Sequence, residues 1–353
     1  MCIAVFMWES HPLYPFILFL NRDEYHNRPT EPLIWWEGGE ILGGRDGEAG
    51  GTWLASSRDG RVAFLTNFRE LETIPHAKSR GNLPVHFLQS KKKPIEFAEE
   101  VVKEVDKYNG FNLILVDVCS KSMVYLTNRP KENGNFVTEV SPGIHVLANA
   151  NLDSPWLKAQ RLDQNFREVL AKYGNGALPL KETVAELMMD TTKDDLSSLP
   201  QIFSPETEYP MSAIYIDTTR PQGQYGTRNQ SALTVKSNGE VCFYERYLDK
   251  NLWKEHTTVT PHLSHTGSAI IFPQHYEITT KLITTSTFDP CSRGASDAGA
   301  TCPALAIRLP RPGDSFGLAA CAWIAATVLA ARAPLVICPA RRLLCHAPVP
   351  SFH

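Results

Sequence analysis

Two short apolar runs separated by a proline-containing linker constrain the fold of this chain more than any other feature. The runs are Cys2–Trp8 and Phe16–Leu20. Aromatic and branched residues in runs of this length are typical of buried strands. The linker Glu9–Pro15 holds two prolines, which favour a loop. This stretch therefore predicts an antiparallel hairpin.

Four polar residues, Asn21–Glu24, follow the second run directly. Pairing the two runs from their loop-flanking ends places Cys2 opposite Arg22, with Cβ atoms about 5 Å apart. A guanidinium beside a thiol favours the thiolate. Because side chains alternate along a strand, Asp23 points to the other face of the sheet. A register slip of one or two residues remains an alternative, as does a plain ion pair within the tetrapeptide.

The cysteine at position 2 predicts a specific chemistry. Methionine aminopeptidases remove Met1 when the second residue is small, which leaves a thiol and a free α-amine on Cys2. An α-amine titrates near pH 7.7–8.0, so it can act as general base for the thiol. This is the chemistry of N-terminal-nucleophile hydrolases. The alternative is that Cys2 is only a small apolar residue at the start of a strand.

Composition excludes several classes of function. The chain has 353 residues, 43% of them hydrophobic, which is enough for a sizeable core, and a net charge of -3 gives no footprint for nucleic acid. Residues 1–256 contain only three cysteines, as in intracellular proteins. No signal peptide is expected, because charged residues and prolines soon follow the first apolar run.

The sequence holds no motif for a metal site or for covalent haem attachment. His26, His76 and His145 are isolated in sequence, and a lone histidine is more often structural than a ligand. Metal binding is therefore not expected. If haem binds, it binds non-covalently through an exposed histidine or cysteine in a groove.

Residue usage changes near position 257. Five of the eight cysteines lie in residues 257–353, which lack regular periodicity. We therefore predict one domain over residues 1–256 and an atypical, disordered extension over 257–353. The uncharged run Ser315–Ala331 is shorter than the roughly twenty residues that span a membrane, so membrane association has little support.

The remaining patterns predict strands grouped with pairs of helices. Asp59-Gly60 between two apolar runs is a hairpin signal, the prolines between residues 25 and 40 predict an extended loop, and Gly43–Gly51 predicts a glycine-rich loop. The predicted helices are Asn82–Ser90, Ile95–Lys107, Trp156–Tyr173 and Lys181–Met189. The later predicted strands are Phe111–Asp117, Met123–Thr127, Ile144–Ala150, Ala213–Asp217, Gln230–Val235 and Val241–Tyr247. This order predicts an α+β fold, a four-layer αββα sandwich of two mostly antiparallel sheets.

Eight motifs in sequence order resemble the transport and Golgi organisation protein 2 homologues, a family named for its Asn-Arg-Asp-Glu tetrapeptide. The resemblance covers residues 1–256. The motifs are Met1-Cys2, Asn21–Glu24, Gly50–Leu54, Thr66–Arg69, Ser79–Gly81, Tyr108–Leu113, Leu147–Ala150 with Leu152–Trp156, and Tyr225–Arg228.

The resemblance implies an αββα fold like that of N-terminal-nucleophile hydrolases. It also implies cytoplasmic, mitochondrial or Golgi-associated roles in secretion, Golgi organisation, haem trafficking, and lipid or acyl-CoA homeostasis. We therefore expect a carrier of a small molecule, such as haem, a lipid or an acyl compound, with haem as cargo and no required cofactor. The alternative is a cysteine hydrolase that cleaves amide or thioester bonds with Cys2.

The same fold resembles the bile-salt hydrolase and penicillin V acylase group, whose first cysteine attacks an amide. Carried over by position, Cys2 is the nucleophile, Asp23 holds the α-amine, and Arg22 tunes the thiolate. The tetrapeptide itself differs from the Arg-Asn-x-Asp of those acylases.

Three further residues carry over from the same group. Asn67 and Asn149 would donate hydrogen bonds to an oxyanion, since each is a polar residue at a strand end. Arg228 would complete the site, although its Gly-Thr-Arg-Asn context differs from the acylase pattern. The alternative for both asparagines is that they only cap strand ends.

Overall fold

A computed structural model of the protein describes residues 2–130 and 134–260. In this part of the chain, two seven-stranded antiparallel sheets stack face to face. Helices pack on the outer face of each sheet. The predicted four-layer αββα sandwich is therefore confirmed.

The strands follow the chain in hairpins and meanders. They are β1 (Cys2–Trp8), β2 (Phe16–Tyr25), β3 (Thr30–Trp35), β4 (Ile41–Asp46), β5 (Leu54–Ser57), β6 (Arg61–Asn67), β7 (Phe111–Asp117), β8 (Ser122–Thr127), β9 (Val137–Glu139), β10 (Gly143–Leu147), β11 (Asp217–Arg220), β12 (Gly223–Val235), β13 (Val241–Asp249) and β14 (Leu252–Thr260). The first sheet has the order β10-β1-β2-β12-β13-β14, with β11 paired to β12. The second sheet runs from β3 to β9 in chain order.

Helices form two pairs, one for each sheet. They are α1 (Asn82–Ser90), α2 (Pro94–Val102), α3 (Leu157–Tyr173), α4 (Leu180–Leu187) and the single turn α5 (Pro205–Glu208). Proline suits the first position of α2, where its missing N–H would have no helical partner. The apolar stripe of α3, including Leu162 and Phe166, packs on the first sheet. Helices α1 and α2 cover the second sheet in the same way.

Alternation along the strands divides the core into layers. The even-numbered residues of β1, including Phe6, face the second sheet, where the Phe6 and Phe64 rings meet edge to face at 5.3 Å. The odd-numbered residues, including Val5, face helices α3 and α4. Polar side chains on either face of the strand ends must therefore lie between two layers.

Two sequence predictions in the second sheet were wrong. The segment predicted as a proline loop contains strand β3, and Gly43 and Gly44 lie in strand β4 rather than in a loop. Pro32 is tolerated because β3 is an edge strand with a register shift between Glu31 and Ile34.

The predicted strand over residues 213–217 also differs from the structure. The strand β11 instead begins at Asp217, and β12 begins at Gly223, seven residues before the predicted start at Gln230. The extra residues of β12 are largely polar but buried. A sequence reading that relies on apolar runs therefore misses the part of β12 that lies beside β2.

Strand β14 crosses the predicted domain boundary at 256/257 and pairs with β13 as far as Thr260. The segment after residue 260, including the Ser315–Ala331 run, lies outside the described residues. The extension itself therefore stays a prediction. Within the described ranges, no helix is both long and apolar enough to cross a bilayer.

Two of the family motifs meet through their glycines. The Thr52 N–H donates to the Gly81 carbonyl oxygen at 2.9 Å. A Cβ atom at Gly51 would lie 2.3 Å from the Gly81 carbonyl carbon. Glycine is therefore required at position 51 to let the two backbones approach.

Candidate functional site

The β1–β2 register places Cys2 directly opposite Arg22, as predicted. Leu20 and Ala4, the neighbours of these residues on the same strand faces, belong to the core between the sheets. Cys2 and Arg22 therefore share the inner face of the first sheet. Cys2 is buried, with 8% of its surface exposed.

Arg22 is held by the second sheet. Its Nη2 lies 3.2 Å from Asp46 Oδ2, its Nη1 donates to the Thr30 hydroxyl at 3.1 Å, and its guanidinium lies 4.2 Å above the centre of the Trp53 ring. Burial raises the pKa of the Cys2 thiol, and the positive charge of Arg22 is only a weak opposing effect. The resting thiol is therefore protonated at neutral pH, in contrast to the thiolate expected from the sequence.

Asp23 points to the opposite face, toward helix α3, as the alternation predicts. Its Oδ1 accepts a hydrogen bond from the Thr227 hydroxyl at 2.7 Å. Burial raises the pKa of Asp23 to about 6, against the opposing effects of the Thr227 hydrogen bond and of the charges of Lys158 and Arg22. Asp23 is therefore a carboxyl that can change protonation state near neutral pH.

Asn149 and Asn67 belong to a set of hydrogen bonds that joins the ends of the two sheets. The Asn149 Nδ2 donates to the Asn67 carbonyl oxygen at 2.8 Å, and the Arg69 N–H donates to the Asn149 carbonyl oxygen at 2.7 Å. The Thr66 hydroxyl donates to the next carbonyl, that of Ala148, at 2.6 Å. We call these contacts the inter-sheet clip.

The clip also positions Asn149 relative to the thiol. The last β1–β10 pair joins Ala4 and Leu147; Cys2 lies two residues before Ala4, and Asn149 lies two residues after Leu147. One Nδ2 hydrogen of Asn149 is used by the clip, which leaves the second N–H for another acceptor. The contribution of Asn67 to the clip is its carbonyl oxygen rather than its side chain.

Arg228 stabilises the loop between β2 and β3 through hydrogen bonds. It lies at the bulge where the β12–β2 register shifts, and it is mostly buried. Its Nη1 donates to the carbonyl oxygens of Tyr25, at 3.1 Å, and Arg28. It also donates to the Thr30 hydroxyl at 3.3 Å, the same hydroxyl that Arg22 contacts. The Thr30 hydroxyl therefore connects Arg228 to Arg22.

Sequence reasoning missed three buried charged residues at the same end of the sandwich. Arg69 Nη1 lies 3.3 Å from Glu208 Oε1, and both side chains are almost fully buried. The guanidinium of Arg69 lies 4.6 Å from the centre of the Trp156 ring. Lys158, in the first turn of α3, is 2% exposed. The signal for Lys158 was its spacing, four residues before Leu162 on the apolar stripe of the helix.

Glu245 is a fourth buried charged residue that the sequence did not reveal. Its carboxylate accepts hydrogen bonds from the Leu33 N–H at 2.6 Å and from Asn229 Nδ2 at 3.1 Å. Burial raises the pKa of Glu245 to about 7, against the opposing effect of these hydrogen bonds and the charge of Arg22. The inner face near Arg22 therefore holds a second carboxyl that titrates near neutral pH.

The arrangement can support nucleophilic chemistry at Cys2. The Cys2 thiol and the Arg22 guanidinium lie opposite each other on β1 and β2, and the titratable carboxyl of Asp23 follows on the other face of β2. Within the described residues, no group of three or more histidine, cysteine, aspartate or glutamate side chains could hold a metal ion.

Comparison with known proteins identifies the family. The sequence model of the family described as Transport and Golgi organisation 2 matches residues 1–250. The chain belongs to this family.

Curated relatives agree with this assignment. The Transport and Golgi organization 2 homolog of Mus musculus is 34% identical over 275 residues, which covers 73% of this chain and 98% of that protein. The Homo sapiens protein of the corresponding name has the same identity and coverage. The Drosophila melanogaster Transport and Golgi organization protein 2 is 24% identical over 266 residues, with 69% and 91% covered.

Solved structures with a similar trace include two hydrolases. Variant R18L of the conjugated bile acid hydrolase from Clostridium perfringens has a TM-score of 0.40 at 10% identity, with 74% of this chain and 97% of that chain covered. The Caenorhabditis elegans N-acylethanolamine-hydrolyzing acid amidase ortholog has a TM-score of 0.31 at 12% identity, with 66% and 92% covered.

Proposed function

We propose that the protein is an N-terminal-cysteine hydrolase that cleaves an amide or thioester bond of a small molecule. The observation that carries this function is the position of Cys2 directly opposite Arg22 on β2, with Asn149 two residues beyond the last β1–β10 pair. The function requires that Met1 be removed, because only then does Cys2 carry a free α-amine.

The proposed reaction has two steps. The Cys2 Sγ attacks the substrate carbonyl carbon, and the thiol proton passes to the α-amine, so a protonated resting thiol is compatible with attack. The tetrahedral intermediate collapses, the C–N or C–S bond breaks, and the leaving group takes the proton from the α-ammonium. Water then attacks the Cys2 thioester, with the α-amine again accepting a proton, and releases the carboxylic acid and the thiol.

The neighbouring residues have separate roles in this scheme. Asp23, when ionised, stabilises the α-ammonium that forms during attack. The second Nδ2 hydrogen of Asn149 donates to the oxyanion, where one such donor typically contributes about 3 kcal/mol. Arg22 is fixed by Asp46 and supplies positive charge beside the reacting carbonyl.

Two mass measurements and one variant pair test the hydrolase. Intact mass of protein made in cells should show loss of Met1, and incubation with a hexanoyl thioester of N-acetylcysteamine should add one acyl group. The Cys2→Ala variant should lose both the adduct and thiol release. The matched Cys119→Ala variant should keep both, since Cys119 lies at the other end of the sandwich. Retained Met1, or unchanged release by Cys2→Ala, would rule out this mechanism.

A groove at the other end favours a second candidate, a small-molecule carrier. Its volume is about 340 Å³, and the β1–β2 loop and the β7–β8 and β12–β13 turns form its walls. His11 and Cys119 line this groove and carry the imidazole and thiol groups that commonly ligate haem iron. Both His11 ring nitrogens already have hydrogen-bond partners, the Leu13 N–H and the Gly174 carbonyl oxygen. Haem carried in this groove would therefore be ligated by Cys119.

Haem titration separates this carrier from the hydrolase. Haem bound in the groove should lose its thiolate absorption in Cys119→Ala and keep it in Cys2→Ala. Equal spectra from wild type and Cys119→Ala would exclude haem binding through the groove.

The trafficking role in the names of the relatives is also proposed for this chain, with a cytoplasmic location and association with Golgi or mitochondria. A fluorescent tag tests the location, and it should be placed at the C-terminus because the hydrolase needs a free Cys2. Fluorescence restricted to another organelle would contradict this location.

A further inference from the structure

Asn229 is a buried amide that no step of the mechanism above uses. It lies directly opposite Arg22 in the β2–β12 pairing, and Arg22 lies directly opposite Cys2 in the β1–β2 pairing. Because directly opposed residues share one face of a sheet, the three side chains form a row across β1, β2 and β12. Only 1% of the surface of Asn229 is exposed, so the polar atoms of its side chain rely on protein partners.

Glu245 determines which way the Asn229 amide points. The Asn229 Nδ2 donates to Glu245 Oε1 at 3.1 Å, and Glu245 Oε2 accepts from the Leu33 N–H at 2.6 Å. A carboxylate only accepts hydrogen bonds, whereas an amide side chain has a donor end and an acceptor end. With its donor end toward Glu245, Asn229 presents its carbonyl oxygen on the other side.

That oxygen faces Arg22. The Arg22 Nη1 donates to Asn229 Oδ1 at 3.5 Å, and the same guanidinium contacts Asp46 and Thr30 of the second sheet. A guanidinium has donors only, so it can bond to only one of the two amide orientations. The reversed amide would set two donors, Nδ2 and Nη1, against each other. We call the contacts that run from Glu245 through Asn229 to Arg22 the amide relay.

Protonation of Glu245 would reverse the amide relay. Oε2 is required as the acceptor of the Leu33 N–H, which the backbone holds in place, so the added proton belongs on Oε1. The Oε1 hydroxyl would then donate to Asn229 Oδ1, and the amide would turn its Nδ2 toward Arg22. Burial raises the pKa of Glu245 to about 7, so this change falls near neutral pH.

We infer that Asn229 and Glu245 are positioning residues for Arg22: with Glu245 ionised, the amide relay holds the guanidinium opposite the Cys2 thiol, and with Glu245 protonated this contact is lost. Their role in catalysis rests on the hydrolase proposed above, in which Arg22 supplies positive charge beside the reacting carbonyl. The relay itself belongs to the folded chain and needs no substrate.

Other groups around Glu245 must be considered in its titration. Against the effect of burial, its two hydrogen bonds and the charge of Arg22 favour the ionised form. Tyr247, two residues further along β13, has a pKa raised by burial, so its phenol is neutral near pH 7. His256 lies opposite Glu245 on β14 and is exposed. Variants that keep Arg22, Tyr247 and His256 therefore isolate the relay.

The test compares Glu245→Gln with a double variant that exchanges the carboxylate and the amide. In Glu245→Gln, the new side-chain oxygen accepts from the Leu33 N–H, so the new Nε2 donates to Asn229 Oδ1 and locks the relay in its reversed state. In Asn229→Asp/Glu245→Gln, the carboxylate at position 229 accepts from this Nε2 and from Arg22. The exchange therefore restores the contact with Arg22.

Side-chain NMR measures the relay without a substrate. In wild type, the Asn229 Nδ2 signals, identified by their loss in Asn229→Asp, should titrate with the Glu245 carboxyl, and the Arg22 guanidinium signals should move with the same midpoint. In Glu245→Gln, both sets should keep their acidic positions at every pH. Wild-type signals that stay constant from about pH 5.5 to about 8.5 would overturn the relay, even if Glu245→Gln did not fold.

Turnover tests the role in catalysis. The kcat/KM of wild type divided by that of Glu245→Gln cancels the groups that titrate in both proteins. For the hexanoyl thioester this ratio should be about one near pH 5.5, where the wild-type relay is also reversed. It should rise to about ten near pH 8.5, as expected for one lost hydrogen bond to a charged group.

Two further variants separate positioning from a structural role. The exchanged double variant should regain most of the wild-type rate at the higher pH. The matched control is Glu240→Gln, which removes a carboxylate that pairs with Lys236 in the β12–β13 turn, and its ratio should stay near one at both pH values. A ratio for Glu245→Gln that does not change with pH, or a double variant as slow as Glu245→Gln, would overturn the role of the relay in catalysis.

Failure of the hydrolase gives a different result. Absence of turnover in wild type would refute the hydrolase and, with it, the catalytic role of Asn229 and Glu245. The side-chain titration would still decide whether the relay holds Arg22.

Discussion

At the Cys2 end of the sandwich, Arg69 and Glu208 form an ion pair whose side chains are 3% and 1% exposed, whereas at the opposite end the Lys121 side chain that pairs with Glu9 is 71% exposed. Both ends use the same fourteen-strand framework described above. At the opposite end Arg61 is also buried, but the side chain of its partner Asp59 is 37% exposed. Burying ions costs several kcal/mol each before pairing, so the Cys2 end keeps charges that the fold alone does not need. Clusters of this kind mark functional sites.

The largest difference between the two ends is expected in how much replacing the cysteine at each end lowers the rate of hydrolysis. Cys2→Ala should reduce hydrolysis on the order of 10⁴-fold or more, as removal of a nucleophile does in other hydrolases. Cys119→Ala should leave the rate within about twofold, because Cys119 lies at the opposite end of the sandwich, where its thiol donates to the Asp59 carbonyl oxygen at 3.5 Å. The rate is measured as thiol release from an acyl thioester. Equal losses in the two variants would remove the functional distinction between the ends.

Breaking one ion pair at each end compares how much each pair contributes to the free energy of unfolding. Glu208→Gln removes the negative charge that faces the buried Arg69 guanidinium and should cost about 4 kcal/mol of unfolding free energy. Lys121→Met, at the opposite end, should cost at most about 1 kcal/mol, because its pair with Glu9 is largely solvated. Urea denaturation of both variants measures the difference. A small loss for Glu208→Gln would show that water reaches the buried pair.

Measuring the unfolding free energy at several pH values tests the buried carboxyl of Glu245, which lies near Arg22. Its carboxyl has an ordinary pKa of 4.5 in the unfolded chain and about 7 in the folded protein. Between these values the unfolded state releases a proton that the folded state keeps, so stability falls as pH rises from about 4.5 to 7 and then levels off. The fall amounts to about 3 kcal/mol.

Glu245→Gln removes this contribution, because the amide does not titrate. The unfolding free energy of wild type minus that of the variant should therefore fall by about 3 kcal/mol from pH 4.5 to 7.5. Chemical denaturation at each pH provides the measurement. Parallel pH profiles for the two proteins would mean that Glu245 is ionised throughout.

The smallest effect is expected from removing the segment that follows β14. Removing residues 261–353 should preserve cooperative unfolding and change its free energy by less than about 1 kcal/mol. Ending the chain at His256 should cost more, because it removes the part of β14 that pairs with the start of β13. Loss of cooperativity in the longer truncation would make the extension part of the fold and would contradict the predicted domain limit.

The sequence predicts the fold where apolar alternation is strong. Strand β1 and the first half of β2 carry a pattern that determines the Cys2–Arg22 register without any distant contact. The prediction fails for β3, because the prolines between residues 25 and 40 indicated an extended loop, yet an edge strand with a bulge accommodates proline. It also fails for the start of β12, because the residues there are largely polar although they are buried.

The candidate site is only partly predictable for a different reason. The opposition of Cys2 and Arg22 is local, so counting residues finds it. The partners of Asp23 and Arg69 are distant in sequence, with Thr227 204 positions after Asp23 and Glu208 139 positions after Arg69. Contacts between residues so far apart in the chain produce no periodic pattern in the sequence. No sequence prediction was made for Lys158, although its spacing on α3 marks a buried face.

The separation between β2 and β12 has a consequence for the order of folding. The β1–β2 hairpin can form early because its strands are adjacent in sequence, but closing the loop to β12 is slow, as long-range strand pairing generally is. Before that step the thiol and Arg22 are already neighbours, while Asp23 lacks Thr227 and remains hydrated. A folding intermediate would therefore expose Cys2 with an ordinary thiol pKa. Pulse alkylation during refolding would label Cys2 early and lose access to it when β12 docks.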